Sequence, residues 1–316
     1  MSIRLSAAAL AVLAASAHAH ATEPVRGEAV VVTASRFSES ERSTPANVSV
    51  IDRNEIASNP SLSIPDLLKT RAGIDTRPLY GPLGLDATVD MRGFGDAAGS
   101  NTLVLIDGVR LNAVDASGIN WSAIPREAIE RIEIVRGTGA VLYGDRAVGG
   151  VINIVTDKSA RKRANVEATV GSYDYRGVDV NASGGTDSFT YQANADWAST
   201  EGWRDNNDGD RRSGNARLGW FFGDDSELSV SLAAFGDSIG QPGSIAEADY
   251  RNRPTFARTP DDRSRSEGYR VRPGLSHRIS ETLELAVESG VEHRRAIFES
   301  PFFDSVRDSD TLFVTP

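Results

Sequence analysis

Residues Phe189 to Trp197 read FTYQANADW, and their alternation decides what the second half of the chain becomes: Phe189, Tyr191, Ala193, Ala195 and Trp197 fall on one side, Thr190, Gln192, Asn194 and Asp196 on the other. A period of two describes a strand with one apolar and one polar face. The plan recurs on both sides of it. Val166, Ala168 and Val170 alternate with Glu167 and Thr169; Val178 and Val180 with Asp179 and Asn181; Leu218, Trp220 and Phe222 with Arg217 and Gly219. Leu228, Val230 and Leu232 alternate with Ser229 and Ser231, and Leu283, Leu285 and Val287 with Glu284 and Glu288. The connections alternate as well: SGGTDS and FGDDSE are tight turns, whereas STEGWRDNNDGDRRS and the whole of Gly236 to Gly268 are long and charged. Short turns at one end and long loops at the other predict, for residues 161–316, antiparallel strands of a transmembrane β-barrel, apolar toward lipid and polar toward a lumen. A soluble β-sandwich also alternates; the aromatics at strand ends and the alternating turn lengths favour the barrel.

Upstream of Ala160 the periodicity is mixed. NVSVID (Asn47 to Asp52) reads as a short strand. In SIPDLLKTRAG, Ser63 is placed to cap a helix, Pro65 sits in its first turn, Ile64, Leu67 and Leu68 are at helical spacing, and Gly73 lies just past the end. TLVLIDGVRLN predicts a hairpin turning on Asp107-Gly108. IPREAIERIEIVRG opens on Pro125 like a helix and becomes a strand at Ile132, and GGVINIVT supplies another strand. Residues 45–160 therefore form a small α+β domain, helices laid against a sheet.

The N-terminus sets the compartment. Met1 to Ala21 carries one basic residue, Arg4, then an Ala/Leu/Val core and small residues at Ala17, Ala19 and Ala21. This is the pattern of a cleaved secretory signal. With no cysteine in 316 residues, stability in an oxidising compartment rests on packing and backbone pairing. The net charge of −10 argues against nucleic acid as a partner. Catalysis lacks raw material: beyond the signal only His277 and His293 remain as histidines, and there is no thiol. RGTGAVLYGDRAVGG lacks the Gly-Lys-Ser/Thr ending of a phosphate loop, so its glycines, among them Gly137, Gly139, Gly144, Gly149 and Gly150, read as tight turns and close backbone approach. DNNDGD (Asp205 to Asp210) offers hard oxygen donors, but its glycine is misplaced for an EF-hand; a solvated loop is expected there, and no metal or cofactor.

Taken in order, EAVVVTASR, VDMRGFGDAAGSNTLVLIDGVRLN and IPREAIERIEIVRGTGAVLYGDRAVGGVINIVT resemble the N-terminal part of a TonB-dependent outer-membrane receptor, nearest to the cobalamin and siderophore types. The resemblance covers nearly everything from Glu28 onward and implies a plug domain followed by an incomplete transmembrane β-barrel, in the outer membrane of a Gram-negative cell. It implies structural roles for Arg92, Gly93, Asp107, Gly108, Arg136, Gly137, Tyr143, Gly144 and Gly150. It also implies that plug charges, Arg92, Arg131 and Arg136 with Glu130 and Glu133, pair with lumen carboxylates such as Glu167 or Asp179. GQPGS at Gly240 to Ser244 is similar to a loop motif of some members.

Within residues 22–44, the stretch Glu28, Ala29, Val30, Val31, Val32, Thr33 and Ala34 resembles the TonB box, gripped by the energy-coupling protein TonB. Physically this is β-strand addition to an unpaired backbone edge on a polar tether, and the alternative is an edge strand of the plug itself. Ligand contacts are expected at the plug apices, including Tyr80, Leu83 and Asp96, and at the arginines Arg251, Arg253 and Arg258 of the longest loop, a composition suited to an anionic, partly aromatic chelate; the resemblance implies a ferric siderophore or a cobalamin-like corrinoid as cargo. An ordinary solvated loop is the alternative there. Residues from Ala160 to Pro316 hold about seven or eight strands, whereas a plugged lumen needs about 22, and the ending TLFVTP lacks the family's closing aromatic. The chain is accordingly expected to be the N-terminal portion of a longer active transporter; the alternative is a plug-bearing piece that binds without transporting.

Overall fold

Asp107 and Gly108 turn the chain as the sequence predicts, with φ of 51° and 83°, the left-handed pair that a tight hairpin requires. The computed structural model in which they lie describes residues 30–31, 39–40, 47–61, 63–77, 83, 87–112, 119, 121, 124, 126–137, 146–158, 161–280 and 283–315. The signal peptide, Glu28, Ala29, Val32, Thr33, Ala34, Tyr80, Tyr143 and Gly144 fall outside the described residues. Val30–Val31 (β1) pairs antiparallel with Glu39–Ser40 (β2) in a two-stranded ladder separate from every other sheet among the described residues.

The hairpin belongs to a five-stranded sheet. Its strands are Asn47–Asp52 (β3), Thr102–Ile106 (β6), Val109–Arg110 (β7), Ile129–Arg136 (β8) and Gly150–Thr156 (β9), in the order β3-β8-β9-β6-β7 with β6 and β9 parallel. A separate hairpin, Ile74–Arg77 (β4) with Thr88–Met91 (β5), completes the strands of the domain among the described residues. Two short helices cover one face of the sheet. Arg53–Ser58 (α1) starts where the Asp52 side chain accepts the Glu55 N–H, and Ile64–Lys69 (α2) where Ser63 accepts the Asp66 N–H. Gly73, at φ +78°, follows α2 as predicted. Ile56, Ile64, Leu67 and Leu68 then pack on Ile132, Ile134, Ile152 and Ile154. The opposite face carries a second core of Leu103, Leu105, Val135, Ala147 and Val151. Burial on both faces is why TLVLI is an unbroken apolar run and not an alternating one.

One boundary moves. Strand β8 begins at Ile129 and not at Ile132, and the helical start shrinks to a 3-10 turn, Arg126–Ala128. Pairing of Ile129 with Thr156 of β9 gives these residues a ladder that outweighs their local preference.

The second half is one antiparallel meander: Arg163–Gly171 (β10), Tyr175–Thr186 (β11), Phe189–Thr200 (β12), Gly209–Phe222 (β13), Ser226–Gly240 (β14), Arg263–Ser280 (β15), Leu283–Glu299 (β16) and Asp304–Thr315 (β17). It is inside out by the standard of a water-soluble domain. Val166 and Val170 are 70% and 84% exposed, while the polar Thr190 and Asn194 are 6% and 9% exposed because they face the plug. Aromatics on the outer face mark both ends: Phe189 and Trp220, with ring centroids 5.7 Å apart, lie beside the tight turns and the exposed Trp197 nearer the opposite loops, whereas Phe298, in register with Ser264 and Ser305, faces inward. An apolar outer band between aromatic girdles is the surface of a lipid-facing wall. No described helix is long and apolar enough to cross a membrane.

The loops are shorter than the sequence reading drew them. Gly236–Gly240 and Arg263–Gly268 are paired strand, so the long loop is 241–262 and Arg263 and Arg265 belong to the wall. Asp210 likewise lies on β13, leaving 201–208 as the other long loop. At the same end, residues 172–174 and 300–303 are tight, so long connections occur at two of that end's four described turns. Asp210, Arg263 and Arg265 stand on the outer face, opposite the sheltered Ser213 and Ser266, at the loop ends of their strands, so their charge masked the apolar alternation there.

Gly150 has φ +155°, and a Cβ there would stand 2.5 Å from Met91 Cε and 2.6 Å from the Val135 carbonyl oxygen. Gly150→Ala is expected to destabilise the plug by about 3 kcal/mol, from backbone strain and overpacking together. Pulse proteolysis in urea should show a lower midpoint for residues 45–160, whereas Gly99→Ala, where a Cβ meets nothing within 4 Å, should leave it unchanged.

Candidate functional site: the plug–wall contacts and the outer loops

The turn between β6 and β7 is where the plug meets the wall. The Asp107 carboxylate accepts from the Thr156 N–H at 2.9 Å and from Thr156 Oγ1 at 2.8 Å. The Gly108 N–H donates to Asn153 Oδ1 (3.2 Å), Asn153 Nδ2 donates to Glu133 Oε2 (3.2 Å), and the fully buried Glu133 takes Arg131 Nε at 2.8 Å. From β15 the wall adds Arg272, itself buried, which donates to the Ile106 carbonyl (3.3 Å) and brings Nη2 to 3.7 Å from Asp107 Oδ2. A buried carboxylate and a buried guanidinium are tolerable there because each has hydrogen-bond partners besides the other. Beside this contact, toward the tight-turn end, a cavity of ≈ 550 Å³ separates plug from wall, lined among others by Arg131, Lys158, Arg217, Glu227 and Glu288.

The direction of this pairing corrects the sequence reading. Arg131 and Arg136 bond within the plug, and at the β6–β7 turn the wall supplies the cation and the plug the anion. Arg131 is held by Glu133, with Glu130 at 3.7 Å, because residues two apart on a strand share a face and meet before either can reach across. Arg136 closes on its own domain, donating to the Ala72 carbonyl (2.9 Å) and to Ser49 Oγ (2.9 Å), with Gly137 following at φ +112°. Arg92 and Gly93, at φ 82° and 76°, form the exposed turn after β5. Asp90 shapes that turn by accepting the N–H groups of Phe94 (3.0 Å) and Gly95 (2.7 Å). Glu167 and Asp179 instead line a smaller cavity of ≈ 300 Å³ with Arg126, Glu127, Asp196 and Arg211.

A second contact lies near the loop end of the wall. Leu83, 1% exposed, packs with Tyr175, Ala198 and Ile239, and Arg211 donates to its carbonyl at 2.9 Å. Gly209 makes the seat: a Cβ there would lie 3.1 Å from Leu83 Cδ1. The structure thus turns this predicted ligand residue into the wall, at the feet of the two long loops. Asp96 lies in the 3-10 turn Gly95–Ser100.

Above Leu83 the two loops fold onto each other. Arg204 donates to the carbonyls of Gly243 (2.8 Å) and Phe256 (2.7 Å), and Asn206 Nδ2 to those of Thr259 (2.7 Å) and Asp262 (2.9 Å). The Asp205 N–H reaches the Thr255 carbonyl (2.8 Å), and Asp208 pairs with Arg263 (2.5 Å). The Asp205 N–H, the Asn206 amide and the Asp208 carboxylate thus serve loop architecture, and no metal-holding group of three or more His, Asp or Glu side chains occurs among the described residues. In the longer loop a short helix, Glu247–Asn252, joins Arg251 to Glu247 (2.5 Å) and Arg253 to Asp249 (2.8 Å), and Arg253 stacks over Phe256 at 4.2 Å. Arg258 and Tyr250 are exposed. Sequence reasoning missed Arg204 and Asn206, since side chains that bond backbone carbonyls leave no pairing signature in sequence.

Residues 40–151 match the TonB-dependent Receptor Plug Domain. The Vitamin B12 transporter BtuB of Vibrio cholerae serotype O1 is 34% identical over 260 residues, 78% of this chain and 42% of that one. BtuB of Vibrio vulnificus strain YJ016 is 35% identical over 181 residues, 57% and 29% of the two chains. Among solved structures, the unliganded ferric citrate transporter FecA aligns with TM-score 0.74 and 18% identity over 85% of this chain and 43% of that one. The alcaligin receptor FauA of Bordetella pertussis aligns with TM-score 0.69 and 19% identity over 89% and 44%. At such identities the solved structures speak for the fold. The chain spans less than half the length of the curated relatives it matches.

Arg272→Met removes the wall's cation and the hydrogen bond to Ile106 while keeping most of the volume. It is expected to weaken the seating of the plug by about 2 kcal/mol. In membrane-inserted protein, urea should release residues 45–160 to protease at a lower midpoint, with the migration of the folded barrel in unheated gels unchanged.

Proposed function

Because this chain belongs to the TonB-dependent receptors, we propose that it supplies the plug and a section of the barrel wall for active uptake of a scarce nutrient across the outer membrane. The observation that carries this reading is the plug's seat: it is held against the polar face of a lipid-facing wall by a few localised contacts, the polar Arg272 to Asp107 and Arg211 to Leu83 and the small apolar cluster at Leu83 among them, and not by an extended core. Such contacts hold a plug at rest and yield to a pull. The eight described wall strands leave β10 and β17 as open edges, so the working wall needs both edges paired, since unpaired N–H and C=O groups in hydrocarbon cost several kcal/mol each.

The pull comes through Glu28 to Ala34. Val30 and Val31 share a two-residue ladder with Glu39 and Ser40, which leaves the other edge of the valine strand for a strand of the coupling protein TonB. No covalent chemistry and no resident cofactor are part of the proposal.

For the cargo, the loops favour a large ligand of low net charge, a corrinoid, over a strongly anionic ferric chelate. Glu247 and Asp249 occupy Arg251 and Arg253, and residues 241–262 hold three arginines against four carboxylates. What the loop offers is Tyr250 and the Arg253–Phe256 stack, a surface suited to a broad, partly unsaturated ring. The related proteins named as vitamin B12 transporters support this choice.

Val31→Pro removes a backbone donor from the valine strand and fixes its φ. In cells whose other corrinoid receptors are deleted, labelled cyanocobalamin should bind at the surface of the variant as at the parent, while energy-dependent uptake is lost. Equal uptake by both would overturn the strand-addition reading; ferric siderophore uptake without cyanocobalamin uptake would overturn the cargo.

A further inference from the structure

The interlock of the two outer loops has no part in holding plug to wall, and it is more elaborate than a solvated loop needs. Arg204 and Asn206 together meet carbonyls at four places along residues 241–262: Gly243 and Phe256 for the guanidinium, Thr259 and Asp262 for the amide, all between 2.7 and 2.9 Å. Around these bonds the backbone leaves no slack. A Cβ at Gly202 would stand 2.2 Å from the Asn207 carbonyl oxygen, one at Gly240 2.5 Å from Asn206 Oδ1, and one at Gly243 2.8 Å from Thr259 Oγ1. Asn207 and Ala257 are buried in the interlock, each 5% exposed.

We propose that Arg204 and Asn206 are positioning residues for ligand capture: from the 201–208 loop they hold the 241–262 loop folded in advance, so that Tyr250, Arg253 with Phe256, and Arg258 stand as a pre-set surface. The physical case is entropic. A loop of this length left free must be ordered when ligand arrives, and that cost comes out of affinity. Carbonyl acceptors along the loop are met by donors fixed on its neighbour, so the cost is met at folding. A guanidinium serves two or three carbonyls at once through its planar fork, which an ammonium does not reproduce. The interlock stands on the same foundation as the plug contact: Leu83 packs against Ile239, next to Gly240 where the long loop leaves the wall. The inference rests on the loop's being the ligand surface, as in the proposed function, but its central test needs no ligand.

These 316 residues hold no cysteine, so in a receptor freed of any cysteine elsewhere a spin label at Asn252→Cys reports on the loop alone. In intact cells carrying the full receptor, the label should be immobilised in the parent background. It should become mobile with Arg204→Ala and with Asn206→Ala, and Arg204→Lys should restore little of the order. Surface amount and unheated migration should stay at parental values. If cyanocobalamin is the cargo, its half-saturating uptake concentration should rise about tenfold with unchanged maximal rate, the signature of a binding-competent loop populated a tenth of the time. An immobile label in Arg204→Ala and Asn206→Ala overturns the inference whatever the cargo. A mobile label with unchanged half-saturation for a transported corrinoid overturns it too. Loss of order in a receptor that carries no corrinoid upholds the interlock and overturns only the choice of cargo.

Discussion

A guanidinium from the wall and a carboxylate from the plug, Arg272 and Asp107, fix how the two halves of this chain stand together. The contact works because the turn that presents Asp107 is itself over-determined. Its left-handed backbone suits the hairpin, Thr156 donates twice to the carboxylate, and Asn153 holds the Gly108 N–H while leaning on Glu133. A carboxylate already bonded within the plug costs little more to seat against a wall, and a buried arginine needs such a seat. Polar attachment of this kind differs in character from the plug's own interior, where Ile132, Ile134, Ile152 and Ile154 close on Leu67 and Leu68 with almost no solvent contact. The domain's interior is apolar, whereas its attachment to the wall rests mainly on charged and hydrogen-bonded groups.

The wall obeys the opposite economy. Its outer face keeps large apolar side chains exposed and its inner face carries Thr190, Asn194, Ser213 and Ser266 in shelter. Only a solvent that is itself apolar makes that arrangement favourable, and only strands whose backbone groups pair with neighbours survive in it. Every adjacent pair from β10 to β17 meets this demand by an antiparallel register, interrupted between β15 and β16 at Arg272–Pro273 and shifted near Arg278. Where backbone groups of the plug or of the loops lack a ladder partner, side chains supply one: Asn112 to the Val104 N–H within β6, Arg126 to the Asn59 carbonyl, Arg204 and Asn206 in the loops.

Much of this was legible in the sequence. Period-two alternation placed the wall strands because a pleated backbone sends successive side chains to opposite faces, a rule that holds whatever surrounds the strand. Ser63, Pro65 and Gly73 bounded a helix, and Asp107-Gly108 a hairpin, because caps and left-handed turns are chosen by single residue types. The tertiary structure alone decided what depends on distance between remote positions: that β8 starts at Ile129, that Arg131 and Arg136 turn inward to Glu133 and Ala72, that Arg272 supplies the cross-domain cation, that Leu83 faces the wall, and that Arg204 and Asn206 tie two loops together. Local pattern reports which face a side chain leaves from. Which partner it finds there depends on the register of strands far apart in the chain, and a carbonyl acceptor, identical at every residue, leaves no mark in the sequence that would name it.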